Sequence, residues 1–337
     1  MTSFLPSVSI LTPTLNSART LSVYFDAIES QDYPRELVQI VIADGGSVDD
    51  TAAIAKQHGA LVVENSLKTG EAGKAVALRH ASGELVALID SDNILVGKDW
   101  LRSMVAPFID SAVEGAEPVA FVAAKDDTII DRYCALMGVN DPLCLFIGNF
   151  DKWSALTGTW TKQPLRLEKR DNYATFSLSQ PNLPTIGANG TMYRRATVAG
   201  LVKDYLMDID VPYTIAAAKP GALFAKVNVG IRHLFCKNPK AFVVKQTRRI
   251  RDVFTKDTGH PQRRYPWAKV GLAGALKFGV CCVTVLPLLY QSVVAYRRTG
   301  DSAAFFHPIA CWLTFWVYGT NFLFARGKAM SRLNWQR

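Results

Sequence analysis

Short apolar runs alternate along the chain with stretches in which apolar residues recur every three or four positions. Val8-Ser9-Ile10-Leu11-Thr12, stopped by Pro13, reads as a first strand. Leu21, Phe25 and Ile28 share one face of a helix over residues 21–30. Residues 38–43 form a second strand, followed by Asp44, a Gly45-Gly46-Ser47 turn and a helix over 51–58 that Asp49 or Asp50 can cap. A short strand at 61–63 and a helix over 70–81 lead to Leu85-Val86-Ala87-Leu88-Ile89. An apolar run without a polar interruption belongs to a strand covered on both faces. Strand–helix alternation of this kind predicts a doubly wound α/β domain.

The pattern weakens after a predicted helix at 100–108. Residues 119–150 show no assignable period, and 151–184 are polar and dotted with aromatics, as a surface insert or an acceptor loop would be. Residues 186–195 read as a strand entered through glycines, 211–218 as a helix and 225–233 as a strand ending in His233. Two long apolar runs follow, 278–296 and 303–325, each without Lys, Arg, Asp or Glu. Either has the length of a membrane-spanning helix. The connector 297–302 makes them a hairpin; a re-entrant or interfacial pair is the alternative. Trp312, Trp316, Tyr318 and Trp335 suit an interface belt.

Composition adds one fact to this picture. The 337 residues are 49% apolar and 20% charged, so a folded chain with an appendage is expected. The net charge of +9 is concentrated in residues 226–264, which carry eleven Lys or Arg against two Asp. A basic block beside apolar segments points to an anionic membrane surface or a phosphate-rich ligand, and no nucleic-acid recognition motif accompanies it. The six cysteines lack metal spacing, and no signal peptide is expected from the N-terminus.

The candidate chemistry lies at the strand ends. Asp90 and Asp92 close the apolar run, where ligands of open α/β sheets bind. Their oxygens suit Mg²⁺ or Mn²⁺ on a substrate diphosphate. Asp44, at the end of another strand, can accept hydrogen bonds from a base or ribose. Met207-Asp208-Ile209-Asp210 offers a carboxylate base for a hydroxyl acceptor, or two caps on the helix that follows.

Taken in order, Thr12-Pro13-Thr14-Leu15-Asn16, Ala43-Asp44-Gly45-Gly46-Ser47-Val48-Asp49-Asp50-Thr51, Ala81-Ser82-Gly83-Glu84 and Asp90-Ser91-Asp92-Asn93 resemble a family-2 glycosyltransferase of the GT-A fold, membrane-anchored type. The resemblance implies a UDP- or GDP-linked sugar donor and Mn²⁺ or Mg²⁺. It implies that Thr12, Pro13 and Asn16 line the nucleotide site, that Asp44 holds base or ribose, and that Asp90 lies near sugar or ribose. Asp92 would ligate the metal, and His233 would complete the metal or diphosphate site. Lys74 sits on a helix facing the donor; the Asn usual there is absent. Gly187 and Gly190 border the acceptor. Asp208, or failing it Asp210, would be the catalytic base of an inverting transfer. Gln246-Thr247-Arg248-Arg249-Ile250 resembles the Gln-x-x-Arg-Trp motif of polysaccharide synthases, with Ile250 in place of Trp; Arg248 or Arg249 would neutralise the leaving diphosphate. The expected architecture is a GT-A catalytic domain over 1–235, built on a doubly wound mixed sheet. A basic juxtamembrane segment over 236–266, two membrane helices over 267–326 and a basic tail over 327–337 would follow. The expected partners are a lipid-linked or glycan acceptor and a membrane, on its cytoplasmic face, without nucleic acid. A nucleotide-sugar-binding scaffold and a nucleotidyltransferase are the alternatives. Two spans and a missing Trp argue against a processive synthase.

Overall fold

The computed structural model describes residues 5–179, 181, 183–256, 265 and 271–334, with backbone alone over 252–256 and 324–334. The chain divides into a first unit, residues up to 122 and 163–234, and a second, residues 123–162 and 235 onward. In chain order the elements are β1 (Val8–Thr14), α1 (Ala18–Glu29), β2 (Val38–Asp44), α2 (Thr51–Gln57), β3 (Leu61–Glu64), α3 (Gly70–Arg79), β4 (Leu85–Ile89), β5 (Asn93–Leu95), α4 (Trp100–Val105) and β6 (Val113–Val122). They continue with α5 (Ile129–Met137), α6 (Leu143–Ile147), β7 (Glu168–Lys169), β8 (Tyr173–Ser177), β9 (Asn189–Arg194), α7 (Arg195–Leu201), α8 (Val211–Ala218), β10 (Leu223–His233), α9 (Pro239–Lys256), α10 (Leu272–Thr284), α11 (Leu286–Thr299) and α12 (His307–Asn334).

The first unit is one mixed sheet in the order β3-β2-β1-β4-β9-β6-β10-β8-β7, with β5 paired to β10. β1 runs parallel to β2 and β4, and β2 to β3; β9 is antiparallel to β4 and β6. All five residues of β4 are buried, which is why its sequence carries no polar position. The chain leaves β1 towards β2 and β3, then returns to β4 on the other side. A crevice opens at the carboxyl ends where the order reverses. Thr14 pairs with Asp44 in register, so the ends of β1 and β2 share one rim. α3 seats against β1 at Gly73, where an added Cβ would lie 2.8 Å from both Pro13 Cβ and Asn65 Nδ2. Glycine permits that approach.

β6 starts ahead of the region without a legible period and ends inside it; it buries Glu114 and Glu117 within the sheet. Glu117 pairs with Lys226 at 2.6 Å; Glu114 accepts from Thr197 Oγ1 at 2.6 Å and Lys219 Nζ at 2.7 Å. Paired acids inside a strand erase its apolar signature. Residues 151–162, expected at the surface, belong to the second unit, where Lys152 and Ser154 are wholly buried. Lys152 is tolerated there because Asp151 Oδ2 accepts from it at 2.5 Å.

In the second unit, Thr128 Oγ1 caps α5 by accepting from Asp131 N at 3.1 Å. A core of Tyr133, Met137, Phe150, Phe242, Ala303 and Phe306 joins α5, α9 and the turn before α12. An ion pair from Arg132 to Asp301 and a hydrogen bond between Tyr133 Oη and His307 Nδ1 at 2.9 Å fix that contact. All six cysteines are free and lie in this unit.

Two expectations for this unit are corrected. The expected catalytic domain over 1–235 is divided: residues 123–162 belong to the second unit together with those from 235 onward. The apolar run 278–296 is not one helix. It breaks at Val285, whose φ is 60° and ψ −40°, and α10 and α11 meet at 96°. Pro287, in the first turn of α11, has no N–H and would clash inside a continuous helix, so the chain turns before it. The second run starts with a 3-10 turn over Ser302–Phe306, and α12 begins only at His307. Among the described residues no single helix is long and apolar enough to cross a membrane; α10 and α11 together have the length and composition of a broken span. Residues 257–264, 266–270 and 335–337, Trp335 and Arg337 among them, lie outside the described residues, as do the side chains of Arg326, Lys328 and Arg332.

Candidate active site

The turn after β2 is built around Asp44. Its Oδ1 accepts from Thr14 Oγ1 at 2.9 Å and Ser47 Oγ at 2.5 Å. Its Oδ2 accepts from Gly46 N at 3.1 Å and Ser47 N at 2.8 Å. Burial opposes the charge, but the Ser47, Thr14 and Gly46 donors hold the carboxyl below its ordinary range. The loop after β1 is tied to the same turn: Asn16, at φ 54°, accepts from Val48 N at 2.9 Å, and its own N donates to Ser47 Oγ at 2.8 Å. A left-handed residue there suits Asn. Asp44 and Asn16 thus shape the rim of the crevice, and Pro13 lies under α3.

Thr12 sits elsewhere than expected. Its side chain is wholly buried, donating to the Ile89 carbonyl at 2.7 Å and sharing a 2.5 Å hydrogen bond with Tyr24 Oη. It fastens β1 to the end of β4 from inside, instead of lining the crevice.

Lys74 is the buried hub. Only 4% exposed, its Nζ lies 2.8 Å from Asp208 Oδ2 and 3.3 Å from Asp90 Oδ1. Three steps bring it there. Thr69 caps α3 by accepting from Ala72 N at 3.2 Å, Gly73 lets the helix down onto β1, and Leu206 N donates to the Glu71 carbonyl at 2.9 Å, drawing the 206–210 segment to α3. Burial alone would lower the ammonium's pKa, but the Asp208 and Asp90 charges outweigh it and raise it. Burial pushes the Asp208 carboxyl up to about 6 against the pull of Lys74. Asp90 is likewise raised, by burial first and by Asp92 beside it, with Lys74 opposing. Asp208 Oδ1 is buried and accepts no hydrogen bond among the described residues, and Asp90 Oδ1, buried likewise, faces the Lys74 ammonium.

Asp208 opens a 3-10 turn that runs into α8, and Asp210 stands at the helix N-cap position without a side-chain capping bond. Capping is therefore not what the pair does. Asp210 is buried, 2% exposed.

Asp92 and His233 meet because β5 pairs antiparallel with β10, Asn93 opposite His233. Leu234 N closes the contact on the Asp92 carbonyl at 2.8 Å. Asp92 Oδ2 and His233 Nε2 are 3.6 Å apart, too long for a hydrogen bond. A carboxylate and an imidazole so spaced fit two ligands of one divalent cation, with the remaining positions for diphosphate and water. No cluster of three or more His, Cys, Asp or Glu suited to a metal occurs among the described residues, so the protein alone does not complete such a shell. β9 pairs Asn189 with Ile89, so the strand entered through Gly187 lies beside the end of β4.

Arg248 and Arg249 lie on α9 in the second unit. Arg249 Nη1 donates to the Asn140 carbonyl at 3.1 Å and Gln246 Oε1 at 2.9 Å; Gln246 Nε2 donates to the same carbonyl at 2.7 Å. The Gln-x-x-Arg pair thus anchors α9 to the loop after α5.

Sequence reasoning carried Lys74 over without its partners, and missed Thr14, Ser47 and Tyr24. Ser47 had a signal, since Asp followed by Gly-Gly-Ser is the composition of a side-chain-stabilised turn. The Lys74–Asp208 pair spans 134 residues and had none.

Residues 9–132 match the family model described as Glycosyl transferase family 2. Glycosyltransferase AglE of Haloferax volcanii is 28% identical over 141 residues, 40% of this chain and 46% of that protein. TarS of Staphylococcus aureus, a poly(ribitol-phosphate) beta-N-acetylglucosaminyltransferase, is 32% identical over 108 residues, 30% of this chain and 18% of that protein. An N-acetylglucosaminyltransferase of Bradyrhizobium elkanii is 30% identical over 136 residues, 38% of this chain and 74% of that protein. The chain thus spans less than half the length of the first two of these relatives. Mannosyltransferase PcManGT from Pyrobaculum calidifontis, solved in complex with GDP-Man and Mn²⁺, shares the fold at TM-score 0.50 and 18% identity, over 93% of this chain and 88% of that one. With a relative matched over most of its length and its own strand-end acids gathered at the β1–β4 crevice, the chain belongs to glycosyl transferase family 2.

Proposed function

We propose that the protein transfers a sugar from a nucleoside-diphosphate donor to a hydroxyl or phosphate oxygen, with Asp208 as the base and inversion at the anomeric carbon. The observation that carries this reading is the position of Asp208: a carboxyl with a pKa near 6, one lysine away from the Asp90 strand end. A general base works best when its pKa lies near the working pH.

The chain's residues divide the work. The Asp44 turn and Asn16 hold the nucleoside end of the donor, and Asp90 lies at its sugar or ribose. The acceptor oxygen bonds to the anomeric carbon as the bond from that carbon to the diphosphate oxygen breaks. A hydroxyl proton passes to Asp208 Oδ1; a phosphate acceptor needs no such transfer. Lys74 keeps Asp208 and Asp90 in place and balances their charge before substrate arrives. Asp92 and His233 would hold Mn²⁺ or Mg²⁺, and the cation would supply positive charge at the donor diphosphate. In-line attack without an enzyme nucleophile gives inversion.

For the second unit we propose a membrane surface at the cytoplasmic face, and a lipid-linked acceptor. Leu272, Leu276, Val280, Val283, Leu286 and Tyr290 are each more than 60% exposed, an apolar patch that water disfavours. The basic residues of α9 favour the cytoplasmic side. The test is a thermal-shift screen of nucleotide sugars with and without Mn²⁺, followed by product analysis. A bound donor raises the melting temperature by mass action. Transfer releases a nucleoside diphosphate, whereas nucleotidyl transfer releases diphosphate. A chain that neither binds nor turns over any nucleotide sugar is not this enzyme.

A further inference from the structure

A cavity of about 550 Å³ lies wholly within the second unit. Phe146 of α6, Cys281 of α10, and Pro287 and Val294 of α11 supply apolar wall, Lys162 and Lys277 line it as well, and no Asp or Glu does so among the described residues. Its volume is that of a small-molecule site, and an apolar wall with a few convergent polar groups is how such sites are built. A ligand matched to it has an apolar body and an anionic end.

The cavity opens into the apolar surface of the same helices. α10 is anchored at Gly274, where an added Cβ would lie 2.8 Å from the Phe146 carbonyl oxygen, and by the edge-to-face packing of Phe146 on Phe278 at 5.1 Å. That anchoring leaves Leu276, Val280 and Val283 outward on α10, 63%, 62% and 71% exposed. On α11, Leu286, Tyr290 and Val293 follow at helical spacing and are exposed, and Tyr290 also lines the cavity. The outward stripe and the cavity wall are therefore continuous at Tyr290. The bend at Val285 is braced by Trp312 Nε1, which donates to the Cys282 carbonyl at 2.7 Å. That carbonyl lies next to the break, so the bend is a built feature.

We propose that this cavity binds one anionic phospholipid, its phosphate paired with Lys162 and Lys277 and its upper acyl chain against Phe146, Pro287 and Val294. The charge of the lining selects an anion, and the continuity with the outward stripe makes a bilayer the source. The inference rests on the reading of this unit as bilayer-facing, and the experiment separates the two.

The full chain is titrated with a short-chain, water-soluble phosphatidic acid and, separately, with inorganic phosphate. Flotation is measured on phosphatidylcholine vesicles with and without phosphatidic acid. Wild type binds the short-chain lipid and floats preferentially with the anionic vesicles. Lys162→Gln with Lys277→Gln weakens the short-chain lipid by about tenfold or more, while flotation persists on both kinds of vesicle because the basic residues of α9 are unchanged. Val294→Trp, which fills the apolar part, weakens the short-chain lipid with the lysines intact. Inorganic phosphate bound as tightly as the lipid would overturn the lipid assignment. Wild type that floats on no vesicle would overturn the bilayer reading and the lipid source with it. Flotation by both chains with equal short-chain lipid binding would overturn the cavity site alone.

Discussion

Lys74 and Asp208, 134 residues apart in sequence, form an ion pair of 2.8 Å, in which the lysine is 5% and the aspartate 21% exposed at the side chain. The pair joins α3 to the turn that carries the proposed base, and the same ammonium reaches Asp90 at 3.3 Å. Removing it leaves two acids close together with no counter-charge. Lys74→Met is therefore expected to lower kcat/KM at pH 7 by about tenfold or more and to move the acid limb of the pH profile upward, since the Asp208 carboxyl loses its stabilising partner. Lys74→Arg, which keeps the charge, recovers part of the loss. A purely structural lysine would change stability and leave the limb where it was.

The acid limb itself is the second prediction. Asp208 acts as base only when ionised, so kcat/KM rises with pH through about 6 and flattens above it. The same shift has a sign for stability. The native carboxyl holds its proton more tightly than the ordinary value of 3.8, so the unfolded chain binds fewer protons between about 4 and 6. Stability from this group is present below the ordinary value and is lost as pH rises through about 6. Asp208→Asn removes that slope, which denaturant titration at pH 4, 5, 6 and 7 reads directly.

Asp92 and His233 face each other at 3.6 Å, and each is expected to contribute to cation affinity. Asp92→Asn and His233→Ala should each weaken Mn²⁺ binding in the presence of nucleoside diphosphate by roughly 10–100-fold, by analogy with the loss of groups that orient a metal site. Titration calorimetry measures this without turnover. Unchanged affinity in both variants removes the pair from the metal.

Thr12 holds the Ile89 carbonyl and the Tyr24 hydroxyl from within the sheet. Thr12→Val leaves those groups without its hydroxyl and is expected to cost about 1–3 kcal/mol of stability, with the donor KM little changed. A donor KM raised tenfold with stability intact would return Thr12 to the nucleotide pocket.

The fold of the first unit was largely legible because its elements are locally determined. The 85–89 run had no polar residue to conceal its burial, and Pro212 in the first turn after Asp210 fixed the start of α8, whose bounds Val211–Ala218 matched the expected helix. β6 was not assigned because it carries Glu114 and Glu117, whose partners, Lys219 at the end of α8 and Lys226 on β10, a strand pattern cannot display. Thr12, drawn into the nucleotide site by motif, is wholly buried, its hydroxyl spent on the Ile89 carbonyl and Tyr24. Pro287 weakened the 278–296 run as a span already in the sequence, but hydrophobicity gave no place for the break, which falls at Val285 just before it. For the site, every acid at a strand end could be named from sequence. The lysine that couples two of them could not be given its role, because its position depends on Gly73, Thr69 and the backbone of Leu206 together.

The most direct measurement is single-turnover transfer by Asp208→Asn beside wild type, with donor affinity recorded on the same samples. The account predicts nucleoside diphosphate release with an inverted product from wild type, and a variant that binds donor normally but turns over about 10³-fold more slowly towards a hydroxyl acceptor, a loss within the range of a missing general base. Turnover by the variant equal to wild type, or a product with retained configuration, would contradict it.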